Sequence, residues 1–297
     1  MTEISSVNNV VAASIGEINS VPAANASYIN DIGLVVGFGN TYSLKQTVSA
    51  YGGYVAINNA GKYHFESGGK DQPFSLSAWI KPSTAKNFWM FMKGKIQAGV
   101  TAASLEYKFG LYSNGVVFFA IYGNAAGSSY IRQYDGVDRS STLANGNWHH
   151  LVATYSGDPS EEYGLAFHID GGSAITGGQA IAGSYTDMHD SGLALWLGSE
   201  RQAEDPIARN SFIGYLDEMS VWEKKLSNAE VGEIYNSGTP TDLTEHSAAS
   251  DLLSWWRMGD NDGGAGTTVT DVASGGNGTL NGFQSGDGFT STTAPGS

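Results

Sequence analysis

Residues 211–238 read SFIGYLDEMSVWEKKLSNAEVGEIYNSG, a strand, a turn and a helix in one run. Ile213, Tyr215 and Leu216, then Met219, Val221 and Trp222, supply the branched, aromatic and apolar side chains that suit a pleated surface packed on a core. Ser227 and Glu230 stand three apart at the start of the next segment. That spacing is a capping box, in which hydroxyl and carboxylate each satisfy a backbone N–H that the first helical turn leaves free. The spacing predicts a helix starting at Asn228. Val231, Ile234 and Tyr235 give it one apolar side, and Asn236-Ser237-Gly238 closes it with residues that tolerate left-handed dihedrals.

Upstream of this run the pattern is β. In PFSLSAWIKP (Pro73–Pro82), Phe74, Leu76, Ala78 and Ile80 alternate with Ser75, Ser77 and Trp79, which turns one face to a core. NFWMFMK (Asn87–Lys93) is apolar on both faces, as a central strand is. LEYKFGLY and VVFFAIY flank Ser113-Asn114-Gly115, and Asn-Gly between two such runs marks a hairpin. GLAFHIDGG (Gly164–Gly172) turns at Asp170-Gly171-Gly172. YSL at Tyr42–Leu44 and YVAI at Tyr54–Ile57 are the first strands, and LALWLG (Leu193–Gly198) leads into a polar loop, Ser199–Asn210.

Four stretches in this order resemble the laminin-G-like, concanavalin A-like jelly-roll family: PFSLSAWIKP, NWHHLVATYSG (Asn147–Gly157), GLAFHIDGG, and the opening run with its strand, Asp217-Glu218, second strand and Leu-Ser-x-x-Glu helix. The resemblance covers Tyr42 to Gly238. It implies an all-β, antiparallel two-sheet sandwich with one short helix near Asn228–Asn236. It implies no single function, since this scaffold carries lectins, enzymes, adhesion modules and virion proteins alike. After the helix, LLSWWRMGDNDGGAGTTVTDVASGGNGTLNGF (Leu252–Phe283) resembles the stretch that usually opens such a domain. Coming last, it predicts a permuted sandwich, with Ser254–Met258 adding a strand beside the N-terminal ones, or else the start of a truncated second unit. About 45 residues cannot build a core unaided. The expected organisation is therefore an arm at 1–32, the sandwich at 33–250, and a C-terminal strand and extension at 251–297 that joins the sandwich. The last stretch, Ser285–Ser297, has little to bury.

Composition agrees with many short strands joined by glycine turns: 40 glycines in 297 residues, 11% aromatic and only 15% charged. With 15 Lys and Arg against 29 Asp and Glu, the formal charge is −14. No basic stripe is present to neutralise phosphates, so neither nucleic acid nor an anionic membrane is expected as a partner. The absence of cysteine removes disulfides and thiolate metal sites. No run is apolar enough to span a bilayer, and MTEISSVNNVVAAS carries an acidic residue where a secretory signal carries basic ones.

The first 32 residues differ from the rest. ISSVNNVVAAS (Ile4–Ser14) aligns with IGEINSVPAAN (Ile15–Asn25), an eleven-residue repeat that sets Ile4 over Ile15, Val7 over Ile18 and Val10 over Val21. Gly16, Pro22, the Asn pairs and the β-branched bias favour short extended segments with Asn turns over a helical supercoil. Such a segment cannot bury its own Ile4, Val7, Val10, Ile15, Ile18 and Val21. An arm that packs on a neighbouring subunit or partner is the expectation.

Glycosidases on the resembled scaffold use two carboxylates of one strand in a Glu-x-Asp-x-x-Glu pattern. Here Asp217 and Glu218 are adjacent, which on a regular strand sends them to opposite faces, and Glu223 falls near the next turn. The pattern is not met, and no enzymatic activity is expected. His149 and His150 are likewise placed on opposite faces, wrong for a shared metal, and no Gly-x-Ser-x-Gly elbow occurs. No cofactor is expected beyond calcium, for which GDNDGGAGTTVTD offers Asp260, Asp262 and Asp271 without EF-hand spacing. Tyr130, Tyr134 and Tyr185 lie in Gly/Ser/Asp-rich, loop-like surroundings and are the candidates for stacking on a sugar. The sandwich, the repeat arm and the Gly/Ser/Thr tail resemble phage structural proteins. The expected function is a virion structural protein, a capsid-decoration, tail or fibre component. It would assemble as a homo-oligomer or with other virion proteins through its arm and attach to a cell-surface glycan. The alternative is a bacterial carbohydrate-binding or adhesion module, extracellular or at the cell surface.

Overall fold

A computed structural model describes residues 38–48, 52–96, 104–162, 164–202 and 208–296, with the backbone of 17–18 and 21–22. The chain divides into two compact units, 1–39 and 40–297. In the first, β1 (Glu17–Ile18) pairs antiparallel with β2 (Val21–Pro22), Ile18 opposite Val21. Ile4, Val7, Val10 and Ile15 of the repeat fall outside the described residues.

The second unit opens with β3 (Ser43–Gln46) and β4 (Tyr54–Ile57), then runs through β5 (Phe74–Pro82), β6 (Phe88–Lys95), β7 (Ser104–Leu111), β8 (Val117–Tyr122) and β9 (Tyr130–Tyr134). A one-turn helix, α1 (Ser140–Leu143), precedes β10 (His149–Tyr155), β11 (Leu165–Ile169) and β12 (Ala180–Ala182). Short strands β13 (Leu195–Leu197), β14 (Glu200–Arg201) and β15 (Ala208–Arg209) lead to β16 (Gly214–Trp222) and α2 (Asn228–Tyr235). The C-terminal segment adds β17 (Leu252–Trp256), β18 (Thr268–Val269), β19 (Gly278–Asn281) and β20 (Gly288–Thr290). One sheet has the order β11-β10-β5-β16-β3-β20, with β17 also paired to β16; the other runs β12-β9-β8-β7-β6-β13-β4-β19-β18. Among the described residues no helix is long and apolar enough to cross a membrane.

Alternation explains how the two sheets meet. Phe74, Leu76, Ala78 and Ile80 of β5 and Val117, Phe119 and Ile121 of β8 point into one shared core. Phe74 stands edge-on to Phe119 at 5.9 Å and stacks on Phe65 at 4.2 Å. The opposite face of β5 is covered as well, which accounts for the apolar Trp79 among its serines. Tyr235 of α2 stacks over Trp79 at 5.7 Å, and His150 lies 5.1 Å from the same ring. The helix starts at the expected residue, and its capping box is complete in both directions. Ser227→Ala removes the acceptor for the Glu230 N–H, and the expected cost is about 1 kcal/mol, read as a lower midpoint in denaturant unfolding. A midpoint equal to that of the parent chain would assign the helix start to other contacts.

The run that opens the sequence analysis is one strand with a break in it. Along β16, the partner on one side is β5 throughout; on the other it is β3 over Gly214–Leu216 and β17 over Met219–Trp222. The hand-over falls at Glu218, whose φ is +44°. There, Asp217 pairs with Trp79 and Ser220 with Ser77, so two residues of β16 stand against the single Ala78. Leu216 and Met219 both reach the core although they are three apart. Asp217 and Glu218 between them therefore share the outer side. The expectation of opposite faces fails because the bulge inserts a residue and breaks the two-residue period.

The C-terminal segment is distributed over both sheets. Its first strand, β17, lies beside β16 rather than beside the N-terminal strands, while β19 pairs with β4 and β20 with β3. The tail also buries more than its composition implies. Ala294 is 3% exposed, and the Ser43 hydroxyl donates to the Thr293 carbonyl at 2.6 Å.

Candidate functional site on the outer face of the nine-stranded sheet

Strand alternation places a second aromatic layer on the face of this sheet that the core does not use. In β8, Val117, Phe119 and Ile121 enter the core, so Phe118, Ala120 and Tyr122 point the other way. Trp89 and Met92 of β6 join them. On β9 the sequence YIRQY sends Ile131 to the core and leaves Tyr130, Arg132 and Tyr134 on the outer face. The Arg132 guanidinium carbon lies 5.3 Å from the centre of the Tyr130 ring and 5.9 Å from that of Tyr134. Tyr112, just past the end of β7, is held edge-on by Trp89 at 5.8 Å, Phe118 at 5.2 Å and Tyr134 at 5.8 Å.

One end of this face is closed. Glu200 on β14 accepts from the Trp89 indole N–H at 2.8 Å and from Asn210 at 3.2 Å, and the Ile96 N–H donates to the Arg201 carbonyl at 2.9 Å. Trp196 is likewise covered, stacked on Tyr54 at 3.6 Å with Arg201 over its ring. Lys108 lies between these layers, 4.2 Å from the Trp89 ring centre and 5.2 Å from that of Phe118. Burial pushes its ammonium down to about 8, with the Glu200 charge opposing the shift.

The other end is open. Tyr112, Ser113, Asn114, Arg132 and Tyr134 line a cleft of about 490 Å³. The Asn114 side-chain oxygen accepts from the Val116 N–H at 3.4 Å, and its amide N–H groups have no partner among the described residues. The buried Nε of Arg132 has no hydrogen-bond partner among the described residues. Among the described residues the hydroxyls of Tyr112, Ser113 and Tyr134 make no hydrogen bond either. A wall of rings beside unengaged donors can take up a ligand that is apolar on its face and polar at its rim.

Tyr130 and Tyr134 thus belong together, on a strand rather than in the loop their flanking residues imply. Tyr185 is elsewhere. Its hydroxyl donates to Asp71 Oδ2 at 2.6 Å, the oxygen that also takes the Tyr155 hydroxyl at 2.6 Å. Burial raises the Asp71 carboxyl despite these donors. Arg132 and Tyr112 escape a search for loop aromatics; the signal that finds them is the alternation Tyr130-x-Arg132-x-Tyr134 and the position of Tyr112 at the hairpin.

Asp260, Asp262 and Asp271 do not converge on one cation. Asp260 accepts from the backbone N–H groups of Thr41 and Tyr42 at 2.9 and 3.2 Å. Asp262 accepts from the Thr270 N–H at 3.1 Å, and Asp271 takes the N–H groups of Trp255, Ala273 and Gly276 together with the Lys62 ammonium. Their clustering in sequence reflects three separate loop anchors. The described residues bring a different set of ligand-type atoms within 4.8 Å of one another, those of His64, Glu106 and Asp190. Buried Lys93 pairs with the same Glu106 carboxylate, which offsets that charge and leaves Asp190 as the carboxylate of the three with no ion pair among the described residues. The hydrogen bond to Glu106 raises the His64 imidazole against the opposing effect of burial.

Asp217 and Glu218 lie in the other sheet and are engaged structurally. Asp217 accepts from Asn40 at 3.0 Å and from the Glu218 N–H at 2.8 Å; Glu218 accepts from the Trp255 indole and from Arg257 Nε, the latter at 3.1 Å. Burial raises both carboxyls. The Glu218 charge adds to the rise at Asp217, and Arg257 moderates that at Glu218. His149 and His150 are separated as expected. His149 joins Asp170 and Asn145, while buried His150 bonds Ser77 at 2.8 Å, its imidazole pushed down to about 3 by burial.

The fold has solved counterparts. It is similar to that of a Bacteroides ovatus protein assigned to carbohydrate binding, at 14% identity and a TM-score of 0.54, over 88% of this chain and 62% of that one. This chain thus spans about three fifths of the length of that protein. A heptameric SAP-like pentraxin from Limulus polyphemus matches at 16% identity and a TM-score of 0.41, over 65% of this chain and 80% of that one. The CBM40 of a Ruminococcus gnavus IT-sialidase, solved with α2,3 sialyllactose, matches at 12% identity and 0.47, over 66% and 100%. No curated protein sequence matches the chain. The profile that does match covers residues 49–232, from just before β4 into α2 and across most strands of both sheets. The chain belongs to the concanavalin A-like lectin/glucanase superfamily.

Proposed function

We propose that this chain is a carbohydrate-binding module whose platform is the open end of the outer face, at Tyr112, Ser113, Asn114, Arg132 and Tyr134. The observation that supports this best is the cleft itself, in which aromatic rings stand beside polar groups with no partner of their own. A sugar ring has an apolar C–H face that an aromatic side chain desolvates and a rim of hydroxyls that need donors and acceptors. The volume of about 490 Å³ falls within the range of small-ligand sites. Membership of a superfamily named for lectins and glucanases agrees with it. The role assigned is binding without turnover, because the Asp217–Glu218 carboxylates belong to the other sheet and are tied to Asn40, Trp255 and Arg257. The natural place of action is extracellular or at a cell surface, where glycans are displayed.

A virion role, as a decoration, tail or fibre component assembling through the Ile/Val repeat, uses the same platform for attachment. Its support is the repeat and the extended pair β1–β2, neither of which names the surface the arm meets. The glycan reading therefore leads, and self-association through the arm is secondary to it.

The test is a glycan-array screen of the full chain followed by calorimetric titration with Tyr134→Ala. Wild type is expected to retain at least one glycan class, and the variant to bind it about tenfold more weakly, the weight of one ring contact near 1.4 kcal/mol. A wild type that retains nothing, or a variant that binds as wild type does, overturns the proposal.

A further inference from the structure

We infer that Arg132 makes this platform selective for carboxylated sugars, of the uronic or sialic acid type, over neutral ones. The inference rests on the carbohydrate-binding reading above. In this chain of net charge −14, several of the described basic side chains pair with carboxylates. Arg139 pairs with Asp135, Arg257 with Glu218, Lys62 with Asp271 and Lys93 with Glu106. Arg132 has no such partner among the described residues, and its Nε is buried with nothing to donate to. The acid nearest in sequence is committed elsewhere, since Asp135 is bound by Arg139 and by the Val137 N–H. A cation left unpaired and partly desolvated is destabilising until an anion completes it.

The guanidinium is also held in place. Tyr130 and Tyr134 flank it on the same face of β9 at 5.3 and 5.9 Å, so little side-chain freedom remains to be lost on binding. Its planar fork of N–H groups matches the two oxygens of a carboxylate, which accept two parallel hydrogen bonds; a hydroxyl offers only one oxygen. Asn114 and Ser113 stand across the same cleft, placed for the ring hydroxyls of a sugar whose acid group sits on Arg132.

The experiment is calorimetric titration of the full chain with matched probes: trigalacturonate against its carboxyl-reduced galactose counterpart, sialyllactose against lactose, and a sulfated galactose oligomer. Wild type is expected to favour the carboxylated member of at least one pair by about tenfold or more and to bind the sulfated oligomer less well. Arg132→Gln is expected to bring that ratio close to one. Arg132→Lys, which keeps the charge without the fork, should retain part of it, and thermal unfolding of both variants at a temperature no lower than that of wild type separates lost recognition from lost structure. Equal binding of both members of every pair, a ratio that survives Arg132→Gln, or a preference for the sulfated oligomer overturns the inference and leaves the carbohydrate reading standing. Failure of every probe to bind, neutral ones included, overturns both.

Discussion

Asp271→Ala is expected to destabilise the sandwich by about 3–5 kcal/mol, the range for removing one partner of a buried, hydrogen-bonded ion pair. The carboxylate joins three parts of the C-terminal segment to the body of the domain. Its Oδ1 takes the N–H groups of Trp255 and Ala273 at 2.9 and 3.0 Å; its Oδ2 takes the Gly276 N–H at 2.8 Å and the Lys62 ammonium at 3.1 Å. Alanine leaves these donors without an acceptor in a place that is 5% exposed. Lys62 itself keeps Ser254 at 2.8 Å, which limits the loss on that side. The sign of the pH dependence follows from the shift. Burial by itself would raise the carboxyl, but the donors from Trp255, Ser254, Gly276 and Lys62 outweigh it and hold it below the usual value. A depressed carboxyl contributes fully above its unfolded value of about 3.9, and the contribution is lost as pH falls through the folded one. Urea unfolding at pH 7 and pH 3 checks this: the gap between wild type and variant should be large at pH 7 and shrink at pH 3. A gap below 1 kcal/mol at pH 7 would remove Asp271 from the list of anchors.

Asp217→Asn is expected to act in the opposite direction and to stabilise the protein at pH 8. Asp217 is fully buried, and burial together with the adjacent Glu218 charge raises its carboxyl well above the usual value. The unfolded chain releases this proton near 3.9, while the folded one holds it. Wild type therefore loses stability as pH rises through the window between the unfolded and folded values. Asparagine keeps the shape, still accepts from the Glu218 N–H through Oδ1 and carries no proton to lose, while its NH2 requires the Asn40 amide to turn its otherwise unpartnered Oδ1 towards it. A gain in stability is therefore expected at pH 8, narrowing to nothing near pH 3. A variant less stable than wild type at both pH values would mean that the charge is stabilising where it sits. The same pair of proteins carries the enzymatic control. Polysaccharide turnover by wild type that disappears in Asp217→Asn would give the pair a catalytic role in place of a structural one.

By itself the sequence determined the elements whose causes are local. The capping box at Ser227 and Glu230 set the start of α2, the Asn114-Gly115 turn set the β7–β8 hairpin with Leu111 opposite Val117, and apolar alternation marked β5 as a strand with a core face. Each depends on neighbours a few residues apart, so each is written in consecutive letters. Tertiary structure alone decided the rest. The bulge at Glu218 exists because β16 changes partner from β3 to β17 there, and the residues of β17 are more than thirty positions away. The three aspartates of the C-terminal loop look like one cation site until Thr41, Thr270 and Trp255 supply a separate backbone donor for each. The candidate sugar site was half legible: Tyr130 and Tyr134 stand out as aromatics, but the cleft needs Tyr112 and Asn114 from another hairpin beside them. Side-chain direction along a strand is a matter of counting by twos; which strands lie side by side is a matter of long-range pairing and burial, and that is not written in any one stretch.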